Sequence, residues 1–287
     1  MSAHPEYPVA KWAGILQVSR SGYYGWQAFA PAREKKAKQE TELVRKIFDE
    51  GRGTYGPDRI CGIIRARGGR MGRETVKRYM EDMGLSSCHN RRRQRSLTNS
   101  KKARGDGYPN LLRKETPIVP RYALSSDITY LRTDEGFDYL CTIRDIFTGE
   151  VLGRYSSDRM TKELVINAFL AMTARYRLEP GCIFHSDRGS QYTSNAFKEL
   201  VKQYGFRQSF SRVGMPGDNA WSESFFAGMK KEIIHWCHYE TREQVRLAVF
   251  DHIEVFYNGQ RAQKRLGYIS PREYFKRLQI QELSKVA

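Results

Sequence analysis

The chain has 287 residues, of which 40% are hydrophobic and 12% are aromatic. This composition can fill a packed core, so it excludes a chain that is disordered throughout. The sequence has no apolar run of about eighteen residues and no secretory pattern at its N-terminus, which argues against a membrane span and against export. We therefore expect a cytoplasmic protein with one large domain and a smaller one.

The net charge of +17 is the most informative property of the composition. An excess of Lys and Arg binds the phosphates of nucleic acids regardless of base sequence, because binding releases condensed counterions. The 17 tyrosines also suit a nucleic-acid partner, since aromatic rings stack on bases, although most of them belong in a core. A surface that only keeps the protein in solution is the alternative interpretation.

The five cysteines are odd in number, dispersed, and never spaced as C-x-x-C. This pattern argues against a disulfide framework and agrees with a reducing compartment. His235, Cys237 and His238 form the short cluster HWCH, but on one helix their side chains would point in different directions. We do not expect zinc there, because a structural zinc site needs a fourth ligand.

The N-terminal part of the chain predicts helices. Residues 1–37 are expected to form short helices with a turn at SRSGYYGW. Residues 38–88 contain three amphipathic stretches, ETELVRKIFDEG, TYGPDRICGIIRARG and RETVKRYMEDMGL. Three short helices with basic outer faces predict a small all-α, helix-turn-helix-like DNA-binding domain, and a bundle that binds nothing is the alternative. The basic residues behind this prediction are Arg65, Arg67, Arg70, Arg73 and Arg78.

Residues 89–115 are expected to form a basic linker. Its first part, HNRRRQRSLTNSKKAR, contains seven basic residues and no acidic one. So pure a basic run predicts an extended segment that follows DNA phosphates, with a solvated hinge as the alternative. The linker residues expected to contact DNA are Arg91, Arg92, Arg93, Arg95, Lys101 and Lys102.

The pattern changes in residues 116–287. Three strand-like stretches, RYALSSDITYLRT, FDYLCTIRDIF and EVLGRYSS, are joined by short polar turns. A helix, a buried strand ending in FHSDRG, a second helix, the short strand FRQSF and further helices follow. This order predicts an α/β fold with a mixed sheet flanked by helices.

Three acids stand out in this region. Asp127 lies in an alternating stretch, Asp187 in the loop FHSDRGSQYTS, and Glu223 near the start of a helix in DNAWSESFFAGMKKE. Mg²⁺ prefers oxygen ligands, and phosphodiester chemistry often uses two such ions held by carboxylates. Three carboxylates in a basic chain therefore predict a metal site that acts on a polyanion. Each acid alone has an ordinary structural explanation, and Asp145 is a rival to Asp127 because it also lies in a strand.

Other residues near these acids could serve the same site. Lys230 lies two helical turns after Glu223 and so shares its face. His185 points to the same side of its strand as Asp187, where it could touch substrate, although a structural donor is the commoner role. No G-x-x-x-x-G-K-[ST] loop is present, so nucleotide hydrolysis is not indicated. The residues of this region expected to contact DNA are Lys230, Lys231, Arg188 and Asn219.

Four ordered motifs resemble one known family. DITYLRT, HSDRGSQYTS, DNAWSESFFAGMKKE and YNGQRAQKRLGYISPREYF are similar to the integrase-like core of bacterial insertion-sequence transposases. The resemblance is to the product of the second of two overlapping reading frames, with retroviral integrases as distant relatives. VSRSGYYGW, TYGPDRICGIIRARG and ETVKRYMEDMGL are similar to the small helical domain that precedes this core, so the resemblance spans nearly the whole chain.

The resemblance implies a ribonuclease-H-like fold with an Asp-Asp-Glu site, in which Asp127, Asp187 and Glu223 are catalytic and bind metal. The 35 residues between Asp187 and Glu223 match the spacing of the integrase class. Implied cofactors are Mg²⁺ or Mn²⁺, two ions per site, and Lys230 matches the family lysine that approaches DNA ends. The implied activity is metal-dependent 3′-end cleavage and strand transfer of an insertion sequence.

The same resemblance implies the partners: double-stranded DNA, further copies of the chain, and the upstream-frame DNA-binding protein as a partner or fusion. We therefore expect a cytoplasmic protein that associates with the nucleoid. The sequence departs from the family at Leu124, Ser126 and Arg144, none of which is one of the three acids. Two alternatives stay open, a catalytically silent DNA-binding regulator and a ribonuclease-H-type nuclease that does not join strands.

Overall fold

The computed structural model describes residues 8–90, 109–113, 115, 117–212 and 216–286. In the N-terminal part, SRSGYYGW does not form the predicted turn. Most of it belongs to a helix, because the hydroxyl of Ser19 accepts a hydrogen bond from Gly22 N and caps the N-terminus. The first helices are α1 (Val9–Ile15), α2 (Arg20–Ala28), α3 (Ala30–Glu50), α4 (Pro57–Ala66) and α5 (Arg73–Asp82).

Helix α3 continues through the predicted boundary between residues 37 and 38. After Pro31 in its first turn, the sequence has no Gly or Pro until Gly51, and it is rich in Ala, Lys and Glu. Helix α4 begins with Pro57 and has Asp58 in its first turn and Arg65 in its last, an arrangement that favours a helix at both ends. The three amphipathic stretches predicted in residues 38–88 are therefore helical, and the first helix begins earlier than predicted.

The predicted strands form one five-stranded mixed sheet in the order β3-β2-β1-β4-β5. β1 pairs with β2, and β2 with β3, in antiparallel fashion, whereas β4 is parallel to both β1 and β5. Helices cover both faces, which confirms the predicted fold class. The strands are β1 (Ala123–Thr133), β2 (Gly136–Asp145), β3 (Val151–Ser157), β4 (Ile183–Ser186) and β5 (Arg207–Phe210).

The helices of this region divide between the two faces of the sheet. α6 and α7 share a core with Leu124, Phe184 and other side chains on one face. α8 and α9 share a second core with Leu131 and Leu140 on the other face. Their bounds are α6 (Lys162–Arg175), α7 (Asn195–Gln203), α8 (Ala220–Met229), α9 (Arg242–Phe250) and α10 (Pro271–Val286).

Helices α8 and α9 each continue without a break into a π-helical segment, Lys230–Ile234 and Asp251–Tyr257 respectively. A π-helical turn contains more residues than an α-helical turn. The face on which a residue lies in these segments therefore differs from that expected for a regular α-helix. No helix in the described residues is long and apolar enough to cross a membrane.

The N-terminal helices pack against the C-terminal part of the sheet domain. Phe256 and Ala262 belong to the same hydrophobic core as the buried side chains of α3, α4 and α5. The backbone N–H of Ala262 donates to the hydroxyl of Tyr55 at 2.8 Å. Gly62 in α4 leaves room for the ring of Tyr268, because a Cβ there would lie 2.0 Å from that ring. The two predicted domains therefore share one core.

A buried ion cluster adds a polar contact between these parts. Arg261 Nε donates to Glu232 Oε1 at 3.0 Å, and His89 Nε2 lies 2.8 Å from the same oxygen. Burial alone would raise the pKa of Glu232, but the hydrogen bond from His89 and the charge of Arg261 lower it to about 2. Glu232 is therefore ionised at neutral pH, and its charge is compensated within the protein.

The close approach of Gly62 to Tyr268 leads to a stability prediction. We expect Gly62→Ala to lower the free energy of unfolding by about 1–3 kcal/mol, because the added methyl group overpacks the contact. Gly25→Ala is the matched control: a Cβ there meets nothing within 4 Å. It should stabilise α2 by about 0.5–1 kcal/mol. Denaturant unfolding measures both variants, and equal effects would contradict the described contact.

Candidate active site

Asp127 lies in the middle of β1, on the face of the sheet that α8 covers. Its side chain is half-buried, and its Oδ1 accepts a hydrogen bond from Ile128 N at 2.8 Å. Burial and repulsion from Asp187, with a smaller contribution from Glu223, raise the pKa of Asp127 to about 7. The carboxyl group therefore lies where nearby negative charge is poorly compensated.

Asp187 directly follows β4, the strand that is parallel to β1. Ser125 on β1 pairs with His185 on β4. Asp127 and Asp187 each come two residues later, so the two acids lie level with each other. The carboxylate of Asp187 accepts a hydrogen bond from Gly189 N at 3.0 Å. Asp187 is exposed on its outer side, yet the surrounding protein atoms desolvate it and raise its pKa.

A buried tyrosine fixes the loop that contains Asp187. The Tyr192 side chain is 1% exposed, and its hydroxyl lies 2.9 Å from Ser126 Oγ on β1. The side chains of this loop pack closely around Gly189, where a Cβ would lie 2.9 Å from Gln191 Oε1 and 3.0 Å from Asp187 Oδ1. The sequence analysis did not identify Tyr192, although a lone aromatic residue in the polar motif GSQYTS was the available signal.

Helix α8 brings Glu223 to the same face of β1. Ser222 is fully buried, and its hydroxyl donates to Ser125 Oγ at 3.1 Å. Asn219, just before the helix, donates from its side-chain amide to Ser126 O at 3.4 Å. These two contacts hold the first turn of α8 against β1, and Glu223, one residue after Ser222, is exposed there. Ser222 was also missed, since nothing in the sequence pairs it with Ser125.

The described residues contain no ready-made metal site formed by three or more His, Cys, Asp or Glu side chains. What the structure provides is two neighbouring carboxyl groups and a third within electrostatic range. Burial first, and then repulsion from the neighbouring acids, raise the pKa of Asp127, and a divalent cation would relieve the repulsion. Oxygen donors of this kind suit Mg²⁺ or Mn²⁺. The donor set fits such an ion, provided that Glu223 or water completes the coordination.

His185 supports the site from inside the protein. Its Nδ1 lies 2.8 Å from Ser209 Oγ on β5, and its Nε2 lies 3.0 Å from the carbonyl oxygen of Asp218. Burial lowers the pKa of His185 to about 4, so the ring is neutral at physiological pH. His185 therefore connects β4, β5 and the segment before α8, as a structural donor rather than a group that faces substrate.

The acid that rivalled Asp127 has a structural role. Asp145 is 1% exposed and accepts hydrogen bonds from Arg121 N, Phe147 N and Thr148 N. It therefore fixes the turn between β2 and β3, and its pairing with Leu124 puts it on the other face of the sheet from Asp127. The choice of Asp127 over Asp145 agrees with these contacts.

The predicted DNA-contacting residues of this region occupy different positions. Lys230 is half-buried, with Nζ 4.3 Å from the centre of the Tyr130 ring, and burial lowers its pKa while Asp127 attracts its charge. Arg188 Nε donates to Ser211 O at 2.9 Å, and Lys231 is half-buried. Asn219 is buried against β1. These DNA contacts stay predictions, and those of Arg91, Arg92, Arg93, Arg95, Lys101 and Lys102 lie outside the described residues.

Comparison with known proteins agrees with this architecture. A family model described as an HTH-like domain matches residues 35–95, and two models described as integrase core domains match residues 119–216 and 223–278. The 31 kDa protein of insertion element IS600 from Shigella sonnei is 36% identical over 259 residues, covering 90% of this chain and 94% of that protein. The chain belongs to the insertion-sequence transposases. The transposase for IS904 from Lactococcus lactis is 34% identical over 237 residues, covering 82% of this chain and 93% of that protein.

Membership in this family confirms the predicted integrase-like core and the class of enzyme, a DNA transposase with an integrase core domain. It also confirms a helix-turn-helix-like domain in the N-terminal part of the transposase. Among solved structures, the catalytic core of BIV integrase matches with 18% identity and a TM-score of 0.42, covering 56% of this chain and 99% of that chain.

The raised pKa of Asp127 leads to a pH prediction for the metal-free transposase. Folding raises this pKa from 3.8 to about 7, so the folded state binds the proton more tightly than the unfolded state. Stability due to this group is therefore present at low pH and is lost as the pH rises from about 4 to about 7. Asp127→Asn cannot lose a proton. Its advantage in unfolding free energy over the wild type should grow through this window, to a few kcal/mol at pH 8.

Thermal or denaturant unfolding of both proteins in chelator across this pH range measures the effect. An advantage of Asp127→Asn that is equally large at low and high pH would contradict the described environment of Asp127.

Proposed function

We propose that this transposase cleaves the 3′ ends of its insertion sequence and joins them to target DNA at a site formed by Asp127, Asp187 and Glu223. The register of β1 and β4 is the observation that carries the proposal, because it sets the first two acids level on adjacent strands. The third acid is brought to the same face by the contact between Ser222 and Ser125. Crowded carboxylates of this kind are typical of a site that binds a divalent cation.

Asp127, Asp187 and Glu223 would hold Mg²⁺ or Mn²⁺, and we propose two ions per site. When bound, such ions supply Lewis acidity and an activated oxygen nucleophile for in-line displacement at phosphorus. The protein contributes the ligand orientation. Ile128 N and Gly189 N each bind one carboxylate oxygen, of Asp127 and Asp187 respectively, which fixes the carboxylate planes.

The cationic residues around the acids would bind and orient the DNA. Lys230 is close enough to Asp127 for their charges to interact, so a phosphate brought to the carboxylates also meets an ammonium group. Two more cations are close in sequence: Lys231 directly follows Lys230, and Arg188 directly follows Asp187. His185 and Tyr192 hold the loops from behind without touching DNA.

The N-terminal helices and the linker would supply most of the DNA affinity. The helix-turn-helix-like domain carries arginines on α4, α5 and the segment between them, and the basic linker lies between this domain and the core. Because the net charge is +17, binding would neutralise several DNA phosphates. DNA affinity would therefore fall steeply as the salt concentration rises. We propose residues 38–88 as the DNA-binding domain, 89–115 as the linker and 116–287 as the catalytic domain.

We propose further partners on functional grounds. Two element ends must be held together for joining, so the active form would contain two or more copies of the chain. The upstream-frame DNA-binding protein, as a partner or as a fusion, would supply recognition of the terminal sequence. The proposed location is the nucleoid in the cytoplasm, where the substrate is.

Replacing one acid tests the proposed chemistry. Asp187→Asn should reduce metal-dependent joining of a labelled element end by at least about a thousandfold, as is usual when one member of a catalytic unit is removed. DNA binding should be unchanged or slightly tighter, because one negative charge is lost. Asp134→Asn is the matched control, since Asp134 is an exposed acid on the turn between β1 and β2 that pairs with His238.

The outcomes distinguish the alternative functions. Loss of DNA binding together with joining would mean that Asp187 is structural. A wild-type protein that binds the end but never nicks it would be a silent regulator. Metal-dependent nicking without joined products would indicate a nuclease.

A further inference from the structure

A polar cleft lies behind α8, between this helix and the segment that follows the π-helical turn at Tyr257. Its volume is about 190 Å³. Its lining includes the guanidinium groups of Arg144, Arg261 and Arg265, and one carboxylate, that of Glu232. Three cations therefore face one anion. Glu232 is already compensated by Arg261 and His89, which leaves the charges of Arg144 and Arg265 in excess.

The two excess cations converge on Gly149. A Cβ at Gly149 would lie 2.1 Å from Arg265 Nη2 and 3.3 Å from Arg144 Nη2. Within the described part of the chain, neither guanidinium has a carboxylate oxygen within 4.0 Å. Partial desolvation and repulsion from Arg144 lower the pKa of Arg265, although Tyr257 and Asp145 attract its charge. Two guanidinium groups held this close without a carboxylate in contact repel each other. An anion in the cleft would relieve this repulsion.

Two buried N–H groups in the cleft also lack an acceptor. Arg144 is 6% exposed and Gln263 is 8% exposed, and Arg144 Nε and Gln263 Nε2 have no hydrogen-bond partner among the described residues. The other nitrogens of Arg144 donate to Trp221 O, Gly149 O and Tyr257 O–H. An unsatisfied buried donor destabilises the folded state, so native proteins rarely retain one without a reason. Here the donors lie where the excess positive charge is.

The cleft is close to the proposed catalytic acids. Ser224, which contributes to its lining, directly follows Glu223 on α8, and Arg144 holds the carbonyl group of Trp221, two residues before Glu223. A DNA strand bound at Glu223 therefore has a cationic recess next to its path. Guanidinium groups bind phosphate oxygens through several parallel hydrogen bonds, which suits them to hold one backbone phosphate.

We propose that this cleft binds a phosphodiester group of the DNA strand that passes Glu223, with Arg144, Arg265 and Gln263 as the donors. The proposal rests on the proposed function, because it extends the DNA path from the catalytic acids over α8. Binding would also connect the two ends of this helix: its first turn bears Glu223, and the π-helical segment that follows bears Glu232.

The experiment measures how DNA affinity depends on salt. Each phosphate contact contributes about 0.9 to the slope of log affinity against log salt. We expect Arg265→Gln to lower this slope by about one contact for a labelled duplex of arbitrary sequence. Between about 50 and 200 mM salt, wild-type affinity should then fall about threefold more than that of the variant.

Arg177→Gln is the matched control, because Arg177 is an exposed arginine between α6 and β4, before the strand that leads to Asp187. Its slope should equal that of the wild type. A slope for Arg265→Gln that is also equal to the wild-type slope would overturn the proposal.

A second variant makes the result independent of Arg265. Gln263→Glu keeps the side-chain size but places a carboxylate in the cleft, where it can pair with Arg144 and Arg265. We expect DNA affinity at low salt to fall at least as much as in Arg265→Gln, while circular dichroism shows a folded protein. A folded Gln263→Glu variant with wild-type DNA affinity would contradict the proposal.

A third arm separates DNA from free anions. Inorganic phosphate is added at constant ionic strength, and the thermal unfolding midpoint is recorded for wild type and Arg265→Gln. Stabilisation of the wild type alone, combined with unchanged DNA slopes, would show a free-anion site and overturn the assignment to DNA. Failure of the proposed function looks different, because wild-type protein would then bind DNA without metal-dependent cleavage or joining.

Discussion

The hydrogen-bonded register between β1 and β4 is the constraint on which the site depends. Parallel pairing of Ser125 with His185 puts Asp127 and Asp187 level, on the face that α8 covers. A slip by one residue would turn every side chain of a strand to the opposite face and separate the acids. Buried side chains on both faces resist such a slip, because Leu124 and Phe184 fill one core while Ser125 and His185 make hydrogen bonds on the other side.

Helix α8 with its π-helical continuation joins three features of the transposase. Its first turn presents Glu223, its middle lines the cationic cleft, and its last residues bring Glu232 to the ion cluster with His89 and Arg261. His89 is the first residue of the predicted linker, directly after the N-terminal domain, so the position of this domain and the position of α8 depend on the same buried contacts. Carboxylates that repel one another lie at the first turn of this helix, and guanidinium groups without a carboxylate in contact line the cleft beside it. In the proposed function, DNA with its metal ions would compensate both.

The sequence predicted the fold well, and for identifiable reasons. It also singled out the three acids, whose catalytic role stays a prediction. Alternating strands, the helices that follow them and the polar loop around Asp187 are local patterns, and the structure contains all of them. The turn expected at SRSGYYGW is a helix because Ser19 caps it, and α3 extends beyond its predicted start because its charged residues are good helix formers. Tyr192, Ser222 and Arg144 could not be assigned, since their partners are far away in sequence and only the folded chain brings them together.

The most direct test of the site is to locate a metal ion in crystals of the transposase soaked with Mn²⁺. Anomalous diffraction identifies manganese without reference to the activity of the protein. The described geometry predicts manganese in contact with carboxylate oxygens of both Asp127 and Asp187, with Glu223 moving in from the first turn of α8. Manganese bound elsewhere, or held by only one of these two aspartates at saturating concentration, would contradict it.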